Sequence, residues 1–209
     1  MSWLKSIDRV FVINLHKRED RLLEITEQLE QYGIPFQRVS AIEKLNGAEG
    51  LRDTMDFIFK MSLDCNLQNI LVFEDDAKFI LGVEEFHLVM NKVFEQLPPN
   101  YLMCFLGGQP SAGYSSRYSP NLLPAIKYFS THAVIYSNQG MKEIVTKDFG
   151  YPIDNWYVDV VQPIGHCYAV DPILATQRAG FSDIGKNYID WNLFIEPKHN
   201  QEVSKMNHR

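Results

Sequence analysis

Ile70-Leu71-Val72-Phe73-Glu74-Asp75-Asp76 joins four apolar residues to three consecutive carboxylates. A short unbroken run of apolar β-formers is how a strand covered on both faces reads. Val10-Phe11-Val12-Ile13-Asn14-Leu15, upstream, has the same character. Between the two runs, Leu22, Ile25, Leu29 and Tyr32 recur at spacings of three and four, predicting a helix over about 19–32 that Gly33 and Pro35 stop. Residues 36–41 read as another strand, and Leu51, Met55, Ile58, Phe59 and Ser62 as a helix ending near Asn66. On the other side of the acids, Val83, Phe86, Met90, Val93, Phe94 and Leu97 mark a helix. Pro98-Pro99-Asn100 breaks it, and Tyr101 to Leu106 forms a strand closed by Gly107-Gly108. Alternating strands and helices predict an α/β protein: a mostly parallel central sheet flanked by helices, with right-handed crossovers.

Beyond Gly108 the pattern loosens. Residues 109–124 are rich in Ser, Pro, Gly, Tyr and Asn, too long for a simple connection, and read either as a substrate loop or as a surface excursion. Strands are expected over 125–129 and 132–136, then a helix to Lys147 capped by Ser137 or Asn138. Residues 151–190 read as irregular, and 196–209 as a polar tail. No internal repeat or domain boundary stands out, so residues 1–195 are read as one domain.

A chain of 209 residues with 45% apolar side chains is large and apolar enough to bury a continuous core. A net charge of -6 excludes a broad basic surface for nucleic acid or anionic lipid, so any phosphate must be met locally. Cys65, Cys104 and Cys167 are too few and too scattered for a disulfide framework. The N-terminal residues lack the pattern of a secretory signal, no stretch is apolar enough to span a bilayer, and there is no Asn-x-Ser/Thr sequon. Together these favour a cytoplasmic protein, with peripheral membrane association still open.

Ligands of open α/β sheets bind beyond the carboxyl ends of the strands, where the triplet lies. Two like charges ~4 Å apart repel by roughly 4 kcal/mol at an effective dielectric near 20, so three adjacent carboxylates want a proton or a cation. Oxygen ligands favour Mg²⁺ or Mn²⁺, which usually take one or two carboxylates and complete their shell with phosphate and water. If the strand stays extended, Glu74 and Asp76 point one way and Asp75 the other. The metal is therefore assigned to Asp76 first and Glu74 second, and Asp75 to ribose or sugar hydroxyls. The alternative is an acidic turn in which Asp75 or Asp76 caps the next segment.

At the junction of the first strand and first helix, Arg18 and Arg21 stand three apart, where a helix N-terminus favours anions. Either they fork onto a diphosphate or stack on a base, or they pair with Glu19, Asp20 and Glu24 as a solvated helix face. No Gly-x-Gly-x-x-Gly follows a predicted strand, and no phosphate loop or Gly-x-Ser-x-Gly elbow is present. Dinucleotide oxidoreductases, P-loop enzymes and serine hydrolases are thereby demoted. His132 and His166 lie near apolar segments, where a structural histidine is the commoner outcome.

In order along the chain, these motifs resemble glycosyltransferase family 25, which includes lipopolysaccharide-biosynthesis glycosyltransferases and collagen galactosyltransferases. The resemblance rests on Val12-Ile13-Asn14-Leu15 with Arg18, Asp20 and Arg21, on Val39-Ser40-Ala41-Ile42, and on Leu71 through Ala77. It continues with Thr131-His132-Ala133, Pro152-Ile153-Asp154, and Pro172 to Gln177 leading to Ser182-Asp183-Ile184. The resemblance implies a GT-A-type fold, a UDP-sugar donor, Mn²⁺ rather than Mg²⁺ held by the acids, and transfer with inversion in surface-polysaccharide or glycoprotein biosynthesis. It assigns Asn14, Arg18, Arg21, Ala41 and Asp75 to the nucleotide-sugar half, about 1–108, and leaves 109–195 as the acceptor half. The acceptor would be a glycan, a lipid-linked saccharide or a protein hydroxyl. One departure is that Thr54-Met55 stands where the family commonly has Ser-His.

Inverting transfer needs a base for the attacking hydroxyl. Asp154, in Tyr151-Pro152-Ile153-Asp154-Asn155-Trp156-Tyr157, is the candidate, with the acceptor sugar stacked on Trp156 and Asp159 and Asp183 in reserve. Equally, Asp154 reads as the N-cap of a helix running to Val161. The rival function is a noncatalytic nucleotide-sugar or glycan binding protein. A nucleotidyltransferase is less attractive, because no glycine- and lysine-rich phosphate loop opens the chain.

Overall fold

The computed structural model describes residues 2–111 and 116–190; the expected tail at 196–209 lies outside them. Thirteen strands are described. They are β1 (Arg9–Asn14), β2 (Gln37–Ser40), β3 (Asn69–Glu74), β4 (Ala77–Phe79), β5 (Met103–Phe105), β6 (Gln109–Pro110) and β7 (Leu122–Pro124), followed by β8 (Tyr128–Phe129), β9 (Ala133–Ser137), β10 (Cys167–Val170), β11 (Ala175–Gln177), β12 (Gly180–Ser182) and β13 (Asn187–Ile189). The helices are α1 (Glu19–Gln31), α2 (Gly47–Asp64), α3 (Val83–Gln96), α4 (Asn138–Val145) and the short α5 (Ile153–Trp156), which continues as wider turns to Val161.

Seven strands form the central sheet in the order β2-β1-β3-β9-β5-β10-β7. Five run the same way, and β9 and β7 run against them. The α/β class and the mostly parallel sheet are as expected.

The apolar run of β3 is continuous because both faces are covered. Leu71 and Phe73 pack on one side with Ile25 and Leu29 of α1 and Phe86 and Met90 of α3. Ile70 and Val72 pack on the other with Ile58 and Phe59 of α2, Met141 and Ile144 of α4, and Ile153 of α5. Burial of this kind stabilises by roughly 1.5–3 kcal/mol per large apolar side chain. Strand parity then carries Glu74 to the α2 and α5 side.

Several local expectations shift. Helix α2 starts at Gly47, because Asn46 accepts a hydrogen bond from the Ala48 amide. The strand expected at 125–129 splits around Lys127, whose φ of 50° is left-handed, and its sheet pairing moves to Leu122–Pro124. The region 151–190 is not irregular. It holds α5, the sheet strand β10 and a β12–β13 hairpin, short elements set between Gly and Pro that gave no periodic signal. Residues 117 and 118 of the candidate substrate loop lie at the β7 edge, where Arg117 pairs with Asp171 and Tyr118 packs on Tyr168. Cys65 is exposed, Cys104 and Cys167 are buried, and all three are free. No helix among the described residues is long and apolar enough to cross a membrane.

Candidate active site

Strand β3 ends at Glu74, and Asp75 and Asp76 turn into β4, which pairs with β11. The triplet is therefore not extended, and the expected alternation does not hold. Arg21 Nη1 reaches both Asp75 Oδ1, at 3.0 Å, and Asp76 Oδ2, at 3.3 Å. Asn14, at the end of β1, donates to Asp75 Oδ2 at 2.7 Å. With both its oxygens bonded and the residue buried, Asp75 is pinned to α1 and β1.

Glu74 faces the other way. Its Oε1 accepts from the Thr131 hydroxyl at 2.8 Å, and the same hydroxyl lies 3.3 Å from Asp154 Oδ1. Asp154 Oδ2 accepts from the Ser130 amide at 3.1 Å. Asp154 does not cap its own helix, because Pro152 holds the N-cap position. The β8–β9 loop thus brings Asp154 to Glu74 across 80 residues of chain.

Two cavities meet over these acids. The larger, about 540 Å³, is walled by Ala41 to Leu45, by Leu51, by Lys17 and Arg21, and by the β12–β13 hairpin. Its floor is Glu74, Asp75 and Asp76. The smaller, about 260 Å³, shares Arg21, Glu74, Asp76 and Gln177 and adds Ser130, Thr131, Asp154 and Arg178. The hairpin is held over the larger cavity by Arg18 to Asp183, 2.7 Å, and by Arg21 to the Phe181 carbonyl, 2.8 Å.

The wall at 41–45 is fixed from below. The Thr54 hydroxyl accepts from the Ile42 amide at 2.8 Å and donates to the Gly50 carbonyl at 2.8 Å. A side chain at Gly50 would bring a Cβ within 2.3 Å of the Ile42 carbonyl, so glycine is needed there. Met55 packs in the apolar core and lines neither cavity.

Charge at the site is unbalanced. Arg21 answers Asp75 and Asp76, while Arg178 is shared with Glu24. Among the described residues no lysine or arginine pairs with Glu74 or Asp154, and Asp76 Oδ1 is buried without a hydrogen-bond partner. Burial, with Asp76 and Asp154 nearby, pushes Glu74 up to about 8. Burial also raises Asp154 against its bonds from Ser130 and Thr131, and raises Asp76 against Arg21. No three His, Cys, Asp or Glu side chains among the described residues form a metal cage. A two-carboxylate set with an orphaned buried oxygen does fit a hard divalent ion that takes its other ligands from phosphate and water.

These shifts set a pH dependence for the metal-free protein. Folded Glu74 keeps its proton to about pH 8, whereas the unfolded residue loses it near 4.5. The folded state binds more protons in between, so stability falls as pH rises. Buried His132, lowered to about 4 from 6.5, acts oppositely, but only below pH 6.5. In EDTA, the thermal midpoint is therefore expected to fall between about pH 6.5 and 8. Glu74→Gln is expected to flatten that fall, and an unchanged slope in the variant would contradict the assignment.

With the geometry in view, the fold has a counterpart. The chain is similar to A197 from STIV. The likeness has a TM-score of 0.50 at 12% identity and covers 87% of this chain and 93% of that one. A glycosyltransferase involved in the glycosylation of the major capsid of PBCV-1 aligns with a TM-score of 0.49 at 14% identity, over 78% of this chain and 81% of that one. Mannose-1-phosphate geranyltransferase from Thermus thermophilus aligns with a TM-score of 0.44 at 10% identity, over 77% and 58%. No protein-family model matches the chain, and no curated protein sequence does. The family-25 resemblance accordingly rests on the motifs alone.

The structure gathers Arg21, Ala41, Glu74, Asp75, Asp76 and Asp154 around the two cavities and places Asn14 directly behind them. Arg18 is not among the lining residues, because it is tied to Asp20 and Asp183. Trp156 is no free platform: it packs on Phe149 at 5.0 Å and lines neither cavity. Asp159 lines neither, while Asp183 lines the larger. Sequence reasoning missed Lys17, Lys44 and Lys186 in the larger cavity, and the bridging place of Thr131. The Thr131-His132-Ala133 motif and its position just before the buried strand β9 pointed to Thr131, but not to what it bridges.

Proposed function

We propose that the chain is a metal-dependent glycosyltransferase, moving a hexose from a UDP-sugar to a hydroxyl on a glycan, lipid-linked saccharide or protein, with inversion. The observation that carries this reading is the meeting of two cavities over one acidic floor. One has room and cationic side chains for a nucleoside diphosphate, and the other presents a carboxylate to an acceptor. The family-25 motifs support it, since those acids and Asp154 are the residues that carry the resemblance.

On this reading Lys186, which makes no ion pair among the described residues, supplies local positive charge for a diphosphate, beside Lys17, Lys44 and Arg21, which are paired here with Glu43, with Glu49 and Asp53, and with Asp75 and Asp76. Ala41 and Leu51 offer apolar wall to the base, and Asp75 holds Arg21 in place. Asp76 and Glu74 would hold Mn²⁺, which when bound neutralises charge on the departing diphosphate. Asp154 takes the proton from the acceptor hydroxyl, with Ser130 and Thr131 fixing its carboxylate. Its raised pKa makes it a stronger base than an ordinary aspartate.

The noncatalytic alternative leaned on methionine in the place of histidine. Met55 lies in the core, so in this chain the replacement takes no side chain from either cavity.

Calorimetric titration with UDP, with and without Mn²⁺, tests the donor half. Binding that depends on the metal and is lost in Asp76→Ala is expected. No UDP binding under either condition would contradict the proposal.

A further inference from the structure

The two cavities differ in which charges are left free. In the larger, Lys186 makes no ion pair among the described residues. In the smaller, the cations are spent. Arg21 is bonded to Asp75, Asp76 and the Phe181 carbonyl, and Arg178 to the Ala77 carbonyl, Gln28 and Glu24. Its unanswered charge is the Asp154 carboxylate, with Glu74, Thr131 and Gln177 as hydrogen-bonding neighbours.

We infer that the smaller cavity selects an uncharged polyhydroxyl acceptor and rejects acidic sugars. This rests on the proposed glycosyltransferase reading and adds the charge class of the acceptor. A sugar carboxylate or phosphate seated there meets no free cation and faces Asp154, whose charge must persist for it to act as a base. A divalent ion held at Glu74 and Asp76 would answer the donor diphosphate and leave Asp154 as it is. Repulsion of the wrong partner by an unpaired like charge is a general route to specificity. Neutral hydroxyls, by contrast, find acceptors in the carboxylates and both donors and acceptors in Thr131 and Gln177.

The test uses matched pairs of methyl hexosides and methyl hexuronides in the gluco, galacto and manno series, with whichever UDP-sugar the wild-type protein hydrolyses. Transfer is expected to favour the hexoside by about 10-fold or more in kcat/KM. Ile189→Lys, which adds a cation to the wall of the smaller cavity, is expected to raise the ratio of hexuronide to hexoside transfer. Equal use of both members of the pairs, preference for the hexuronide, or transfer to neither series while donor hydrolysis persists would overturn the inference. Absence of donor hydrolysis altogether would remove the glycosyltransferase reading itself, and the inference with it.

Discussion

Asp154→Asn is expected to leave UDP affinity within about twofold and to lower transfer by roughly 10²- to 10⁴-fold, the usual contribution of a positioned general base. Asparagine keeps the shape of the side chain: its oxygen can accept from the Ser130 amide while its NH₂ group donates to the Thr131 hydroxyl oxygen, whose own proton goes to Glu74, so the β8–β9 loop should stay in place. It cannot take a proton. The pattern to look for is therefore a fall in kcat with little change in donor KM. Donor hydrolysis by water need not fall as far, since that reaction does not require a sugar hydroxyl in the smaller cavity. Full transfer by Asp154→Asn would move the base to another residue, and Asp183 is the remaining candidate that lines a cavity.

Arg21→Ala carries the largest expected loss of stability. Its side chain is 14% exposed, beside those of Asp75 and Asp76 at 8% and 16%. Removing one member of such a pair leaves buried charge unanswered, at a cost of about 3 kcal/mol. The same change frees the Phe181 carbonyl and with it one tether of the hairpin over the larger cavity. Urea denaturation reads the first effect, and weakened UDP binding the second. Had Arg21 belonged to a solvated helix face, as the neighbouring Glu19, Asp20 and Glu24 allow, the cost would stay below about 1 kcal/mol. Lysine at this position is expected to restore only part of the loss, because a single ammonium cannot bond both aspartates and the Phe181 carbonyl as the forked group does.

What the sequence makes legible follows from how each feature is encoded. Strands β1 and β3 and helices α1 to α3 are written as periodicity, and the structure follows them to within a few residues. The position of the acids is equally local, since Glu74 to Asp76 directly follow Phe73 at a strand end. The geometry within the triplet is not local. Whether Asp75 and Asp76 diverge depends on β4 pairing with β11, a strand a hundred residues away that no pattern announced. Arg18 and Arg21 look equivalent in sequence. They separate because Arg18 precedes the helix and meets Asp183 from the hairpin, while Arg21, inside it, faces the acids. Asp154 suited both a base and a helix cap, and only the fold brings Ser130 and Thr131 against it. Trp156 illustrates the converse. An aromatic beside a candidate base suggests a sugar platform, yet Trp156 packs against Phe149 and Tyr157 and lines neither cavity.

The central claim is that the acidic floor serves a nucleotide-sugar transfer. Release of UDP from a panel of UDP-hexoses, by wild-type protein and by Asp76→Ala, each with Mn²⁺ and with EDTA, tests it most directly. At least one UDP-hexose should be hydrolysed by the wild type in Mn²⁺, with the release abolished by EDTA and by Asp76→Ala. Release from no member of the panel, or release that neither EDTA nor Asp76→Ala diminishes, would contradict it.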